Sequence, residues 1–560
     1  MIFLCKCSIF ALKLKQSNVM ENKRLKLPIG IHTFDEIRDE GYVYVDKTKY
    51  LVDMIDTGKI YFLARPRRFG KSLTVSAFNA LFSGKKELFK GLYAEEFLNR
   101  PDFQPCPVIR MDMSKVITNR GIDEIENTIS KQVKTIARKL GVSLSDSNLP
   151  GSLFEDLIVN TAEKYDKKVV ILVDEYDKPY TDFVNDTDMA EKVRDALRNC
   201  YIHIKANDEY VRFVFITGIS KFTRFGVFST LNTPLDISMS PKYAGICGYT
   251  EEEIIRYFPD YLDETATSMQ ISTPELMDKM RYYYNGFSFD SNTDTRLYNP
   301  YSTLSFFENK EFFNYWIDTG KPKFIADYMK HRNLTVEQFR HFPISKDFAR
   351  SPGDMDTTPP EGFLFQSGYL TLRKGITDDL SLDYPNTEVL NSMSELVTQN
   401  MFRYQDESYS LCRTDLLNGL TNKNHEKIID AFNRLLACIP YDDYTAAARQ
   451  SISNNDYEMK PQEWLYRTAI LSFLQGCGVV VAAEMHTNKG RPDLVISYKG
   501  NFWVIEIKVT QDGESAEQKA EEAYRQILER NYATPYPHAF YLGLGIDDAS
   551  RQITASRIRP

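Results

Sequence analysis

At 560 residues the chain is too long for one hydrophobic core, so about three or four domains are expected. A hydrophobic share of 42% with 26% charged residues is that of a folded globular protein and excludes a disordered or fibrous chain. A net charge of −8 excludes a surface that attracts polyanions everywhere, so any nucleic-acid contact has to use a local basic patch.

The eight cysteines (Cys5, Cys7, Cys106, Cys200, Cys247, Cys412, Cys438 and Cys477) are scattered, with no CxxC pair and no histidines at zinc spacing. That pattern points to a reducing, cytoplasmic setting and not to a disulfide framework. No apolar stretch is long enough for a bilayer, so no membrane role is expected. The 34 tyrosines and 35 phenylalanines are dispersed and read as packing.

In chain order, residues 1–26 come first. Met1–Phe10 looks faintly like an export signal, but Lys6 interrupts it, and Met20-Glu21-Asn22-Lys23 is a more natural start. This extension is expected to be a disordered tail or a start-site artefact. Residues 27–50 form a lead-in loop and short helix. Strands are predicted over Lys59–Ala64, Pro107–Met113, Lys168–Val173 and Tyr210–Thr217. Helices are predicted over Lys71–Phe82, Asp123–Leu140 and Met189–Asn207. Strands alternating with helices imply a parallel sheet covered on both faces, here an α/β domain over 27–240. Residues 241–375 read as an α-helical extension with aromatic joints such as Tyr284-Asn285-Gly286-Phe287. Residues 376–445 read as a connector with a helix near Glu426–Cys438, and 446–560 return to α/β.

The first chemical signal is Arg65-Pro66-Arg67-Arg68-Phe69-Gly70-Lys71-Ser72 between the first strand and its helix. It is the last half of a P-loop, with Arg65 where the pattern has its first glycine. Unmet N–H groups at a helix start attract phosphate oxygens. Lys71 is expected to reach the β- and γ-phosphates, and the Ser72 hydroxyl to ligate Mg²⁺. Arg67 and Arg68 either compensate phosphate charge or form a solvated basic loop. The second signal is the apolar strand Val169–Val173 ending in Asp174-Glu175. Asp174 is expected to hold Mg²⁺ through its water shell, and Glu175 to orient or deprotonate water. Asp177 reads as a loop carboxylate. Thr217 and Ser220, after the last strand, are either γ-phosphate sensors or turn residues. ATP and Mg²⁺ are therefore the expected cofactors. An acid directly after Asp174 suits hydrolysis better than a nucleotide kinase.

The third signal is a hairpin, Asp493–Ser497 and Phe502–Lys508 around Lys499-Gly500. A two-residue loop pairs Ser497 with Phe502 and puts Asp493 opposite Glu506, on one face with Lys508. Two adjacent carboxylates repel unless a cation lies between them, and Mg²⁺ suits hard oxygen ligands. The expected chemistry is hydrolysis of a DNA or RNA backbone, with Asp493, Glu506 and Lys508 as catalytic residues. Glu463, near the start of a helix over Pro461–Leu474, is a candidate further ligand, and Gln526 on a helix over Ala516–Arg530 a candidate contact; each is otherwise a solvated helix position. Leu494, Ile496, Trp503, Ile505 and Ile507 form the opposite face, and Val495 and Val504 make both faces apolar, as in a buried strand.

On these residues, together with Tyr44-Val45-Asp46-Lys47-Thr48, Asp174-Glu175-Tyr176-Asp177-Lys178-Pro179 and Thr217-Gly218-Ile219-Ser220-Lys221-Phe222, residues 27–240 resemble the AAA-ATPase-like family of bacteria and archaea. Through Pro492-Asp493 and Glu506-Ile507-Lys508, residues 455–560 resemble the PD-(D/E)xK nuclease superfamily. The resemblance implies a P-loop NTPase sheet with a helical extension, followed by an α/β restriction-endonuclease-like domain. It implies an ATP-dependent enzyme acting on nucleic acid, or alternatively a non-enzymatic ATP switch whose degenerate nuclease fold grips nucleic acid or a protein. An arginine from a neighbouring subunit serves relatives of this ATPase class, which leaves a homo-oligomer open, with Arg224 as the candidate. Where the resemblance leads one to expect Tyr-His, this chain has Tyr466-Arg467.

Overall fold

The computed structural model describes residues 24–183, 186–219, 234–290, 292, 294–318, 336, 339–345, 348, 360–375, 379–401, 406–438, 461–483, 492–511, 513–532, 536 and 538–559. Ser220, Lys221, Phe222 and Arg224 lie outside them, as does most of the 1–26 extension.

The first sheet is built from β1 (Ile60–Ala64), β2 (Val108–Asp112), β3 (Val169–Asp174), β4 (Val211–Gly218) and β5 (Leu235–Asp236). All neighbours run parallel, in the order β2-β3-β4-β1-β5. β3 is Val-Val-Ile-Leu-Val-Asp and is buried along its whole length, as a strand covered on both faces must be. Helix Lys71–Phe82 lays Phe78 and Phe82 on Phe213 of β4, each with ring centroids 5.2 Å apart. Helix Ile122–Leu140 buries Ile125, Ile129, Val133 and Ala137, the four-residue spacing of one helical face, and ends at the left-handed Gly141. Apart from β5, which the sequence reading did not include, these elements fall within a residue or two of the sequence expectation.

A second core joins helices Glu251–Tyr257, Pro259–Ser268, Thr273–Tyr284 and Pro300–Asn309 to Leu27, Val43 and Val45 of the lead-in. Arg24 and Lys26 belong to this assembly, although the sequence placed them in the extension. The Arg24 guanidinium lies 3.4 Å from the Tyr261 ring centre and pairs with Glu264, and Lys26 bridges Tyr42. The helical extension also contains strands that its composition did not announce. β6 (Phe342–Ile344) and β7 (Thr371–Lys374) of the extension form an antiparallel sheet with β8 (Leu380–Asp383) from the span expected to be a connector, in the order β6-β8-β7. At three or four residues each, they are too short to show an alternating pattern against the surrounding helices.

The span expected to be a connector carries helices Thr387–Met401, Asp406–Thr421 and His425–Leu436. Val389, Met393 and Leu396 enter the first core, whereas Leu416, Leu420, Ile428 and Phe432 enter the C-terminal core.

The C-terminal sheet contains β9 (Val480–Ala483), β10 (Leu494–Tyr498), β11 (Asn501–Val509), β12 (Phe540–Asp547) and β13 (Gln552–Arg559). Its order is β13-β12-β11-β10-β9, with β11 and β12 parallel and the other neighbours antiparallel. Helix Pro461–Gly476 packs Ile470, Phe473 and Leu474 with Leu494, Trp503 and Ile505 on one face. Helix Ala516–Glu529 connects β11 to β12 and covers Val495 and Val504 on the other. It approaches closely because β12 offers glycines there: a Cβ at Gly543 would stand 2.6 Å from the Ala520 carbonyl oxygen, and one at Gly545 would collide with that of Ala516. Among the described residues no helix is long and apolar enough to cross a membrane.

Candidate functional sites

β1 delivers the chain into the loop 65–70, and Gly70 (φ 100°) takes a left-handed turn that starts the next helix at Lys71. The buried Lys71 ammonium donates to the carbonyls of Arg65 and Pro66, both at 2.9 Å, which folds the loop over the helix start. Burial pulls its pKa down, against the pull of Glu175, Asp174 and Asp177. β4 lies between β1 and β3, so Thr217 stands beside Asp174, its hydroxyl 3.5 Å from Oδ1. Glu175 holds a left-handed backbone (φ 50°), a costly conformation for a residue with a side chain. Burial raises its pKa, Asp174 adds to the rise, and Lys71 opposes it. Both Asp177 oxygens accept the Ile219 N–H, at 3.2 and 3.0 Å, so Asp177 is a loop carboxylate that pins the end of β4.

Arg65 explains the missing glycine. Its side chain is buried and donates to the carbonyls of Ala64 (2.9 Å), Ser238 (2.6 Å) and Tyr243 (3.2 Å), with the guanidinium 4.4 Å from the Phe289 ring centre. Burial lowers its pKa to about 10. It clamps the loop to the chain after β5 instead of facing phosphate. Arg67 and Arg68 are exposed at the loop tip, and Arg68 (φ 64°) stacks 3.9 Å from the Tyr301 ring centre.

A cleft of about 610 Å³ opens on this loop, and Arg67, Arg68, Gly70, Lys71, Ser72, Asp174 and Glu175 line it. Sequence reasoning missed its second wall, made by Ile31, Ile37, Val43 and Lys47 of the lead-in. Lys47 pairs with both Glu253 oxygens at 2.6 Å and ties that wall to the helical region. The signal was present in Tyr44-Val45-Asp46-Lys47-Thr48, but its partner lies far along the chain.

In the C-terminal domain, Lys499 (φ 46°) and Gly500 (φ 78°) are both left-handed, as a two-residue hairpin loop requires. Ser497 pairs with Phe502, the expected register. The Asp493 N–H donates to Glu506 Oε2 (3.2 Å), and Asp493 Oδ2 accepts the Ile507 N–H (2.8 Å). Lys508 Nζ lies 3.0 Å from Glu463 Oε1 and 3.7 Å from Glu506 Oε1. The Gln526 amide donates to Glu506 Oε1. Glu463, Asp493, Glu506, Lys508 and Gln526 thus converge, and neither Glu463 nor Gln526 sits on a solvated face. Arg467, one turn after Glu463, is also buried.

Burial raises the Asp493 pKa to about 6 and that of Glu506 well above the ordinary value, Asp493 itself adding to the latter. Burial pulls Lys508 down, but Glu463, Glu506 and Asp493 together outweigh it and the net shift is upward. Two adjacent buried carboxylates that resist ionisation fit a divalent cation. Mg²⁺ is commonly held by one or two carboxylates with water completing its shell. Among the described residues no three of His, Cys, Asp and Glu form a closed metal cage, and the Glu463 carboxylate is engaged by Lys508.

Fold and sites together define a P-loop ATPase-like module and a nuclease-like module on one chain. Residues 28–228 match the family model described as Predicted AAA-ATPase, and residues 461–544 match the PD-(D/E)XK nuclease superfamily. The chain is 33% identical over 525 residues to a protein of Azotobacter chroococcum mcd 1 named "Uncharacterized protein in vnfD 5'region", covering 92% of this chain and 94% of that protein. The chain belongs to this family of predicted AAA-ATPases that carry a PD-(D/E)XK nuclease-superfamily domain.

Proposed function

We propose that the chain hydrolyses ATP in its first domain and cleaves the phosphodiester backbone of DNA or RNA in its last, each reaction with Mg²⁺. The observation that carries this reading is the convergence of Glu463, Asp493, Glu506, Lys508 and Gln526 on one face of the β10–β11 hairpin, in a chain that also places Lys71 opposite Asp174-Glu175.

In the first site the Lys71 ammonium is poised to exchange two loop carbonyls for phosphate oxygens. Ser72 and Asp174 are the residues that would hold Mg²⁺, and Glu175 is positioned to orient a water. Thr217 is buried beside Asp174, its hydroxyl 3.5 Å from Oδ1, and would sense the terminal phosphate through that carboxylate. In the second site Asp493 and Glu506 would hold the cation, which when bound supplies charge for an attacking water and for the scissile phosphate. Lys508, kept protonated by its carboxylate neighbours, neutralises charge that develops on the phosphate. Gln526 fixes the orientation of Glu506.

The test is one incubation of the purified chain with ATP, Mg²⁺ and mixed DNA and RNA, followed by phosphate release and by gel. Phosphate release together with shortened strands, both stopped by EDTA, is the expected result. Release without any strand cleavage supports the reading as an ATP switch with a binding-only C-terminal domain.

A further inference from the structure

We propose that Arg110 of β2 is a catalytic residue of the first site, holding the terminal phosphate of ATP as it is transferred to water, so that the chain completes this site without an arginine from a neighbouring copy. The inference rests on the reading of that site as an ATPase, and it names a residue outside the sequence motifs.

Strand register places the residue. Phe78 of helix Lys71–Phe82 packs on Phe213 and Phe215 of β4, with ring centroids 5.2 and 4.9 Å apart. Phe215 is the partner of Leu172 on β3, and Leu172 is the partner of Arg110 on β2. Partners in a parallel sheet point to one face, so Arg110 lies on the face that carries the P-loop helix. Two positions further on, Asp112 is the partner of Asp174. Arg110 is therefore one strand over from Asp174 and about 7 Å back along the strand. Ile109 and Met111 are buried on the opposite face, whereas Arg110 is half-buried. It lines the same cleft as Lys71, Ser72, Asp174 and Glu175.

The neighbouring groups leave this guanidinium available. Among the described residues Arg110 takes part in no hydrogen bond, ion pair or ring contact. Asp112, the acid on its own strand, is engaged elsewhere. Its Oδ1 accepts the Ser114 N–H (3.2 Å) and hydroxyl (2.6 Å), and its Oδ2 lies 2.9 Å from Lys115 Nζ. Lys178, another cation lining the cleft, is paired with Asp182. Phosphoryl transfer spreads negative charge over three equatorial oxygens, beside the acids Asp174 and Glu175. A guanidinium keeps its proton throughout and offers paired N–H donors that match two of those oxygens. Such donors count most where charge develops during the reaction.

The test compares wild type, Arg110→Ala and Arg110→Lys in phosphate release from ATP, with Mg²⁺ and nucleic acid present. Binding of ADP, of a slowly hydrolysed fluorescent ATP analogue, and of ADP with aluminium fluoride is measured on the same proteins. The aluminium fluoride mimics the phosphoryl group in transfer. Arg110→Ala should lower kcat about a thousandfold and leave affinity for the ATP analogue unchanged. It should hold ADP with aluminium fluoride no better than ADP alone, whereas wild type holds the mimic far more tightly. Arg110→Lys should recover part of the rate, because it returns the charge without the paired donors. In wild type, phosphate release per chain should stay constant on dilution to the monomer. An arginine that only supports the fold would weaken all three nucleotides together, and that result overturns the proposal. So does an unchanged kcat in Arg110→Ala, a mimic still held tightly by that variant, or a wild-type rate per chain that falls as copies separate. The dilution result stands whether or not the variants fold. Wild-type protein that releases no phosphate would instead overturn the ATPase reading itself.

Discussion

Glu388 is a carboxylate that neither site uses. It is buried near the start of helix Thr387–Met401 and accepts the Trp316 backbone N–H at 2.9 Å. Burial raises its pKa from an ordinary 4.5 to about 8. A carboxyl raised in this way contributes stability that is fully present below about pH 4.5 and is lost as pH rises through about 8. Between those values the unfolded chain has released a proton that the folded chain keeps, a slope of about 1.4 kcal/mol per pH unit for one group. Glu388→Gln keeps an acceptor for Trp316 and should remove that slope. Urea unfolding at several pH values between 5 and 8 reads it directly, and parallel wild-type and variant curves would contradict the assignment. Lys71, Asp174, Asp493, Glu506 and Lys508 were legible in the sequence because their chemistry depends on local spacing. Arg65 and Glu388 were not, because what makes them matter is burial among distant segments: Ser238 and Tyr243 for one, Trp316 for the other.

The β10–β11 hairpin was readable to its register, since Lys499-Gly500 permits one loop type and one-residue slippage would move every apolar side chain to the wrong face. The approach of helix Ala516–Glu529 to β12 was not readable, because it depends on Gly543 and Gly545 facing that helix across the sheet. Gly545→Ala should push the helix outward, costing about 1–3 kcal/mol of stability as an overpacked contact does. Gln526 should leave Glu506 with it. Thermal unfolding and Mn²⁺ calorimetry should both show the loss, while nucleotide binding at the P-loop stays at wild-type affinity. Wild-type Mn²⁺ binding in that variant would separate the helix from the site.

At the scale of the molecule, the two sites are joined by contacts that the word connector concealed. The Trp316 indole N–H donates to the Arg67 carbonyl of the P-loop at 3.2 Å, and the same residue's backbone binds Glu388. Helix Thr387–Met401 then meets helix Pro461–Gly476, where the Ser394 hydroxyl lies 3.1 Å from Gln475 Oε1. A Cβ at Gly476 would stand 3.0 Å from the Glu395 backbone. That second helix carries Glu463 and Arg467. These contacts form a contiguous physical route between the two sites, and whether it carries coupling is read by one substitution. Trp316→Phe keeps a ring but loses the indole N–H. It should reduce the effect of ATP on strand cleavage and leave phosphate release within about fivefold, since a lost neutral hydrogen bond is worth about 1 kcal/mol. An undiminished ATP effect would rule out this route. The most direct measurement of the central claim follows phosphate release and strand cleavage in the same samples of wild type, Lys71→Ala and Asp493→Ala, supplied with ATP, Mg²⁺ and nucleic acid. Lys71→Ala should lose phosphate release, and Asp493→Ala should lose cleavage while releasing phosphate at the wild-type rate; strands still cut by Asp493→Ala protein would contradict the account.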